Sequence, residues 1–446
     1  MENQIISCLD KPDNNEAGYF RFYICGWVLP PGKIQRFEVC LNDKKVTNFK
    51  TRQMKRPDLV AAFPKIMNAG EGGFEGIVEV GEADGNYSLT VYGVMEDNER
   101  VLIGQKNIVN EKSQINLPPR YLSLGLISRC NFSCKMCPVH SSQSGFDFKG
   151  GVMEKKISDK ILSELPAFSP LLQGISPHDY GEPFLSNDLF DILANIREKL
   201  PHVNINLSTN GSLLNDNLIG KILNSGISSI SFSLDAATDQ TYQKMRPGGN
   251  FQSVIGNIKK IIAQRKKMNL QTPVITTNFV ITRVNLNEII QYITLCKMLE
   301  VDGIGFVHPF GLFNSDKDSL ILPLGEKGNE YCDHFLTIKK EIEVTRSDLK
   351  NKCIIPNIFP NDLITDCSFN GKTRMFIDTN GDVFPCCVIA AKGKEKKSDV
   401  KRMGNVYNQS LQEIWDSSEF TEFRKKFYKG IFPHSICKIC PKYYGI

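Results

Sequence analysis

The 446-residue sequence contains no run of about 18 consecutive apolar residues, so no membrane-spanning helix is expected. Its opening stretch, MENQIISCLDKPDNN, lacks the basic and apolar segments of a secretory signal, and the cytoplasm is the expected compartment. Charge of one sign is also scarce. Against 54 Lys and Arg stand 49 Asp and Glu, and the net +5 is spread over the whole length. That balance gives no case for a nucleic-acid partner. Internal repeats and low-complexity tracts are missing, and the run AKGKEKKSDVKR at 391–402 reads as a solvated loop. What remains is a globular chain with room for two to four domains and a sizeable core.

Cysteine, by contrast, is plentiful: there are fourteen. In a reducing compartment disulfides are not the first explanation, and clustered thiols point to metal or catalytic sites.

Residues 1–117 read as an all-β, sandwich-like domain. YFRFYICGWVL, IQRFEVCLNDKKVTNF and NYSLTVYGVMEDNERVLIG are aromatic and β-branched runs broken by ND and EDNE turns. INLPPRY at 115–121 then reads as a linker. From 118 to 325 short apolar runs alternate with helical segments. Strands are expected at 121–127, 172–178, 203–208, 227–234, 273–281 and 301–309. Amphipathic helices are expected at 187–200, 250–267 and 285–300, the first with Leu189, Ile192, Leu193, Ile196 and Leu200 on one face. Six such units imply a parallel sheet and fall short of a closed eightfold barrel. The expected fold is therefore α/β: a partial (β/α)6 TIM-like barrel behind the β-domain. A connector and a small C-terminal α+β domain fill 326–446.

The stretch SRCNFSCKMCPVH follows the first barrel strand directly. It places Cys130, Cys134 and Cys137 in a C-x3-C-x2-C array, at the strand end where ligand sites of barrels lie. Thiolates suit iron–sulfur clusters or zinc. Three sulfurs can hold three corners of a four-iron cluster and leave the fourth iron open. Zinc held by the three thiols and His140 is the alternative.

This stretch resembles the cluster loop of the radical S-adenosylmethionine (SAM) enzymes, in which SAM itself chelates the open iron of a 4Fe-4S cluster. The resemblance implies further site residues in order along the chain. Gly181, Glu182 and Pro183 in HDYGEPFL look like the GGEP motif that meets the SAM amino group, with Tyr180 in place of its first glycine. Ser208 and Asn210 in STNGSLL would bond the ribose or methionyl part. Ser233 and Arg246 around SFSLDAATDQTYQKMRPGGNF would reach the carboxylate or ribose. Met136, where the family commonly has an aromatic residue, and Phe306 would flank the adenine. Each motif also has an ordinary structural reading as a turn, a helix cap or core packing.

A second thiol group follows: Cys367, thirteen residues, Gly381, four residues, Cys386, then Cys437-x2-Cys440. This resembles the SPASM extension of many radical SAM enzymes. It implies that Cys367, Cys386, Cys437 and Cys440 close an auxiliary 4Fe-4S cluster, with DTNGDVFPCC as an Asn-Gly hairpin. Cys387 competes with Cys386, and four-cysteine zinc is again the alternative. With the sequence ending six residues past Cys440, one auxiliary cluster is expected.

The resemblance further implies reductive cleavage of SAM and hydrogen-atom abstraction from substrate, with electrons from a flavodoxin- or ferredoxin-type donor. An auxiliary cluster would make oxidation possible. A redox-neutral epimerisation would need a hydrogen donor such as Cys332. Asp235, His178, Asp179 and His308 fall at expected strand ends, where a base could act. RPDLVAAFP and GGFEG in the N-terminal domain resemble a small β-domain attached to glycosyltransferases and other surface-polysaccharide proteins. The substrate expected on that ground is a sugar, nucleotide-sugar or glycan. A peptide maturase and a non-catalytic zinc or iron–sulfur protein are the alternatives.

Overall fold

The computed structural model describes residues 5–30, 34–141, 151–169, 171–309, 328–345, 353–358, 367, 371–393, 400–438 and 440. Most of the connector between the last barrel strand and Cys367, and the middle of the 391–402 basic run, lie outside the described residues. No helix among the described residues is long and apolar enough to cross a membrane.

The chain divides into two compact units. One joins Met1–Leu117 with Thr421–Pro433. It contains a four-stranded sheet in the order Ile6–Lys11, Phe20–Leu29, Gly73–Gly81, Phe49–Met54. A five-stranded sheet runs Glu16–Gly18, Arg100–Asn110, Gly85–Val94, Arg36–Leu41, Lys44–Lys45. Strand alternation sends one row of each sheet into a shared core of Leu9, Phe22, Ile24, Val39, Phe74, Leu89, Val91 and Ile108. The ND turn has positive φ at both Asn42 and Asp43, the backbone a tight two-residue hairpin needs. Arg424 is fully buried here, and its Nε donates to the Ile115 carbonyl at 2.8 Å.

The other unit comprises Pro118–Asn361, Asp366–Phe420 and His434–Ile446. The six barrel strands are Tyr121–Leu124, Gly174–Ser176, Asn204–Thr209, Ser229–Ser233, Val274–Val280 and Gly303–Val307, all neighbours in parallel. Five lie within their expected spans, and Asn204–Thr209 runs one residue past the expected 203–208. The sheet continues beyond them. Cys353–Ile354 joins the last strand in parallel, and Arg374–Ile377 joins the first, followed by antiparallel Asp382–Phe384 and Gly404–Asn405. The result is an open, ten-stranded sheet.

Helices Leu189–Lys199, Phe251–Lys267 and Ile289–Leu299 occupy the expected stretches, and Leu189, Ile192, Leu193 and Ile196 form the buried face of the first. Lys155–Glu164, Asp216–Asn224 and Asp239–Met245 are additional.

The barrel interior follows from strand alternation. Ile205, Leu207, Ile230, Phe232, Ile275, Phe279, Ile304 and Phe306 are buried on the row facing the helices. The opposite row is small and polar. Ser208, Ser231, Thr276 and Gly303 fall in register, and Ser233, Asn278 and Gly305 form the next line. Such side chains cannot fill a barrel as branched aliphatics do, so space is left inside.

Replacing Arg424 with Ala should destabilise the chain by ~2–3 kcal/mol, because the buried Ile115 carbonyl loses a charged donor. Urea titration at neutral pH checks this.

Candidate functional site

The cluster loop is fixed by backbone before any side chain acts. The Lys135 N–H donates to the Met245 carbonyl at 3.1 Å, and the Glu182 N–H to the Arg129 carbonyl at 2.9 Å. A Cβ on Gly181 would lie 2.3 Å from the Ile127 carbonyl oxygen and 2.7 Å from that of Arg129, so only glycine fits. Phe132, Cys134, Met136 and Met245 form an apolar cluster, with Cys130, Cys137 and Val280 packed against it.

Every sulfur of the loop accepts an N–H. Cys130 takes one from the Phe132 backbone at 3.5 Å and Cys137 one from His140 at 3.2 Å. Cys134 takes one from Arg246 Nη1 at 3.3 Å. Burial is the main cause that pushes all three thiols up, Cys134 to about 12, with the neighbouring thiols contributing at Cys134 and Cys137.

A cavity of ≈ 240 Å³ opens beside the loop. It brings together Cys130, Cys134, Met136, Cys137, His178, Gly181, Glu182, Ser208, Asn210, Ser233 and Arg246, which lie up to 116 positions apart in the sequence (246 − 130). Phe132, Asp179, Tyr180, Thr209, Val280 and His308 share its wall.

Glu182 is 2% exposed, and its carboxylate accepts from Thr209 Oγ1 at 2.7 Å, the Asn210 N–H at 2.8 Å and the Phe184 N–H at 3.4 Å. Burial raises its pKa against these bonds. Asn210 Nδ2 in turn donates to Asn131 Oδ1 at 2.9 Å. Glu182 thus ties the turns after the second and third strands to each other, and Asn210 ties them to the cluster loop.

The second thiol group lies in the same unit. Strands Arg374–Ile377 and Asp382–Phe384 form the expected hairpin, with Gly381 at φ +77° and the Asp378 carboxylate accepting the N–H groups of Asn380 and Asp382. Cys386 immediately precedes helix Cys387–Gly393, and its sulfur accepts the Ile389 N–H at 3.5 Å. Burial raises the Cys386 thiol well above its ordinary range and the Cys437 thiol to about 12, with Cys387, Cys367 and Cys437 adding at Cys386 and Cys440 and Cys367 adding at Cys437. Burial raises the Cys387 thiol to about 12, with Arg374 and Tyr180 opposing and Asp179 and Cys440 adding, and its carbonyl accepts from the Tyr180 hydroxyl at 3.0 Å.

The sequence matches the radical SAM superfamily over residues 125–296 and an iron–sulfur cluster-binding domain, SPASM, over residues 367–441. The chain belongs to the radical SAM superfamily. Among curated relatives it resembles the tungsten-containing aldehyde ferredoxin oxidoreductase cofactor-modifying protein of Pyrococcus furiosus. That match is 24% identical over 316 residues, covering 68% of this chain and 83% of the relative. A "Probable GTP 3′,8-cyclase" of Methanocaldococcus jannaschii is 25% identical over 239 residues, 52% of this chain and 71% of that one. Among solved structures, Streptococcus suis SuiB shares the fold with a TM-score of 0.53 at 16% identity, over 74% of this chain and 77% of SuiB.

The cofactors of a radical SAM enzyme with a SPASM domain are a SAM-binding 4Fe-4S cluster, auxiliary iron–sulfur clusters and SAM. The residues present suit them. No group of three or more His, Cys, Asp or Glu among the described residues converges as the ligands of a single ion would. Thiols that each bind a different iron are not required to converge in that way. A buried thiol resists ionising alone and gives up its proton readily to a metal.

Some expected residues lie elsewhere. Phe306 is on the helix-facing row, packed against Phe279 and Tyr292 at 5.4 and 5.8 Å between ring centroids, and does not reach the cavity. Pro183 starts the 3-10 turn Pro183–Leu185, behind the wall. Cys332 is fully buried and does not line the cavity. Asp235 is also fully buried and outside it. One oxygen is held by Arg246 and the other accepts the Val280 N–H at 2.6 Å, so its carboxylate is committed to structure. His178 does line the cavity, with a buried Nδ1 that has no hydrogen-bond partner. Burial, helped by the Arg374 charge, lowers its pKa to about 4, so it is neutral near pH 7 and a weak base. His308 is held through Nε2 to the Asn357 carbonyl at 3.0 Å.

Reconstituted anaerobically, the chain should carry about eight irons, falling to about four when Cys130, Cys134 and Cys137 are all Ala. Iron and sulfide analysis checks this, and zinc in place of iron would contradict it. His178 predicts a pH effect on stability. Its folded pKa lies below the ordinary value, so its contribution is full above about 6.5 and is lost as pH falls through about 4. The stability difference between wild type and His178→Gln should therefore shrink by up to ~3 kcal/mol between pH 7 and 4. Urea titrations of both proteins across that range measure it.

Proposed function

We propose that this chain is a radical SAM oxidoreductase that oxidises a sugar, nucleotide-sugar or glycan-related substrate in the barrel cavity. When bound, the SAM-binding cluster with SAM supplies a radical that removes a hydrogen atom, and the auxiliary cluster supplies an electron acceptor. The observation that carries the reading is Tyr180. It lines the cavity, and its hydroxyl bonds the carbonyl of Cys387, next in sequence to Cys386. An auxiliary cluster held by Cys386 would put an electron acceptor close behind that wall, which supports oxidation over a redox-neutral reaction. Epimerisation would also need a hydrogen donor at the substrate, and Cys332 is buried away from the cavity.

The chain's own residues then bind and orient. Ser208 and Ser233 present hydroxyls on the polar interior row, suited to hydrogen-bonding a hydroxyl-rich substrate or the cofactor ribose. Met136, Phe132 and Val280 form an apolar side that limits water near the cluster loop. His178, neutral at working pH, is a weak base that can hydrogen-bond substrate in the cavity.

The sugar class is supported by the resemblance of RPDLVAAFP and GGFEG in the N-terminal β unit to a β-domain attached to glycosyltransferases and other surface-polysaccharide proteins. A peptide substrate is the second reading, because SuiB, which shares the fold, has been crystallised with the precursor peptide SuiA. The cytoplasm, with a flavodoxin- or ferredoxin-type donor, is the proposed setting.

The test uses the anaerobically reconstituted full chain with SAM, a chemical or flavodoxin reductant, and deuterated nucleotide sugars and peptides in parallel. Deuterium in 5′-deoxyadenosine from a sugar, with a product lighter by a pair of hydrogen atoms, is the expected result. Tyr180→Phe should keep 5′-deoxyadenosine formation and lower oxidised product. A sugar product of unchanged mass would sink the oxidation reading, and transfer from peptides alone would replace the sugar reading with the second one.

A further inference from the structure

Arg246 lies on the cavity wall yet is only 8% exposed. It caps the C-terminus of helix Asp239–Met245, and its backbone N–H closes on the Tyr242 carbonyl at 2.7 Å. Its guanidinium divides between two partners. Nε donates to Asp235 Oδ2 at 2.7 Å, with Nη2 on the same oxygen, and Nη1 donates to Cys134 Sγ at 3.3 Å.

Asp235 is held for this purpose from several sides. Its backbone has φ +57°, a left-handed conformation rare for a residue with a side chain. Asn285 Nδ2 donates to its carbonyl at 2.9 Å, and the Val280 N–H fills its second carboxylate oxygen at 2.6 Å. Asn285 is itself fully buried and also donates to the Val280 carbonyl. The turn, the carboxylate and the arginine form one rigid bracket whose free end is an N–H on a cysteine sulfur.

The other two sulfurs of the loop take neutral donors, backbone N–H groups and, at Cys130, also the Asn210 amide at 4.0 Å. Cys134 takes its N–H from a cation, paired with Asp235, and arginine stays protonated at any working pH. A charged donor on a ligand sulfur draws electron density from the metal side and favours the reduced state. We propose that Arg246, braced by Asp235, is a positioning residue that raises the reduction potential of the barrel cluster through Cys134. This rests on the radical SAM reading and assigns Arg246 a role that does not need SAM to be bound.

The test is a redox titration followed by electron paramagnetic resonance, on the reconstituted full chain without SAM. Wild type is compared with Arg246→Gln and Arg246→Lys. The barrel signal is the one lost in the Cys130, Cys134 and Cys137 triple-alanine variant. Arg246→Gln should move the barrel midpoint to more negative potential and leave the auxiliary midpoint in place. Arg246→Lys, which keeps charge and loses the fork, should move it less in the same direction. An unmoved barrel midpoint, or equal shifts of both signals, overturns the proposal. If Arg246→Gln binds less iron, the Lys variant decides, and a midpoint equal to wild type overturns it. Absence of any iron–sulfur signal in wild type would instead remove the family reading itself.

Discussion

Ionising a thiol away from water is costly, and this fold gathers three largely sheltered thiols into one eight-residue loop. Everything near Cys130, Cys134 and Cys137 serves to offset that cost or to hold the loop still. Each sulfur accepts an N–H, and one of the donors is a cation. That cation would itself be expensive inside the protein, so it is balanced by Asp235. The loop's path leaves no room for a side chain at Gly181. At Gly249 a Cβ would press on Tyr242 and Phe132 at 2.8 and 2.9 Å. The thiols therefore fix the choice of residue at positions far along the chain that carry no chemistry of their own.

Local patterns were legible in advance. The thiol spacings, the Asn-Gly hairpin and the apolar face of Leu189–Lys199 each span a few turns or less, and their geometry follows from residue order alone. All six barrel strands were visible for the same reason. What could not be read was register. Phe306 looks like a partner for a flat ring when judged by type, but its place on Gly303–Val307 turns it to the helices, where Phe279 and Tyr292 take it. Its neighbours Gly305 and Val307 are the ones turned inward. Once the row of any one strand is known, parallel pairing fixes the rows of all.

The polar site residues show the same limit more sharply. Glu182 was legible as part of a motif and not as a brace, because Thr209 and Asn210 become its partners only when the second and third strands pair. Asp235 reads from sequence as a carboxylate at a strand end, which suits a base. Its commitment to Arg246 and Val280 depends on a left-handed backbone that an Asp can adopt but does not announce. Sequence spacing shows which groups a site could use. It does not show which of them are already spent on holding one another.

The closeness of the cavity to the second thiol group is likewise a matter of strand order. Strand Tyr121–Leu124 has Gly174–Ser176 on one side and Arg374–Ile377 on the other, both parallel to it. Its two neighbours are therefore separated by two strand spacings, about 10 Å. The segment leaving one of them carries His178, Asp179 and Tyr180, and the hairpin containing the other leads into Cys386 and Cys387. A tyrosine side chain is long enough to span most of that gap, and Tyr180 does so with its hydroxyl on the Cys387 carbonyl. A glycine at this position could not. The departure from the GGEP pattern is thus the residue that joins the cavity wall to the second thiol group.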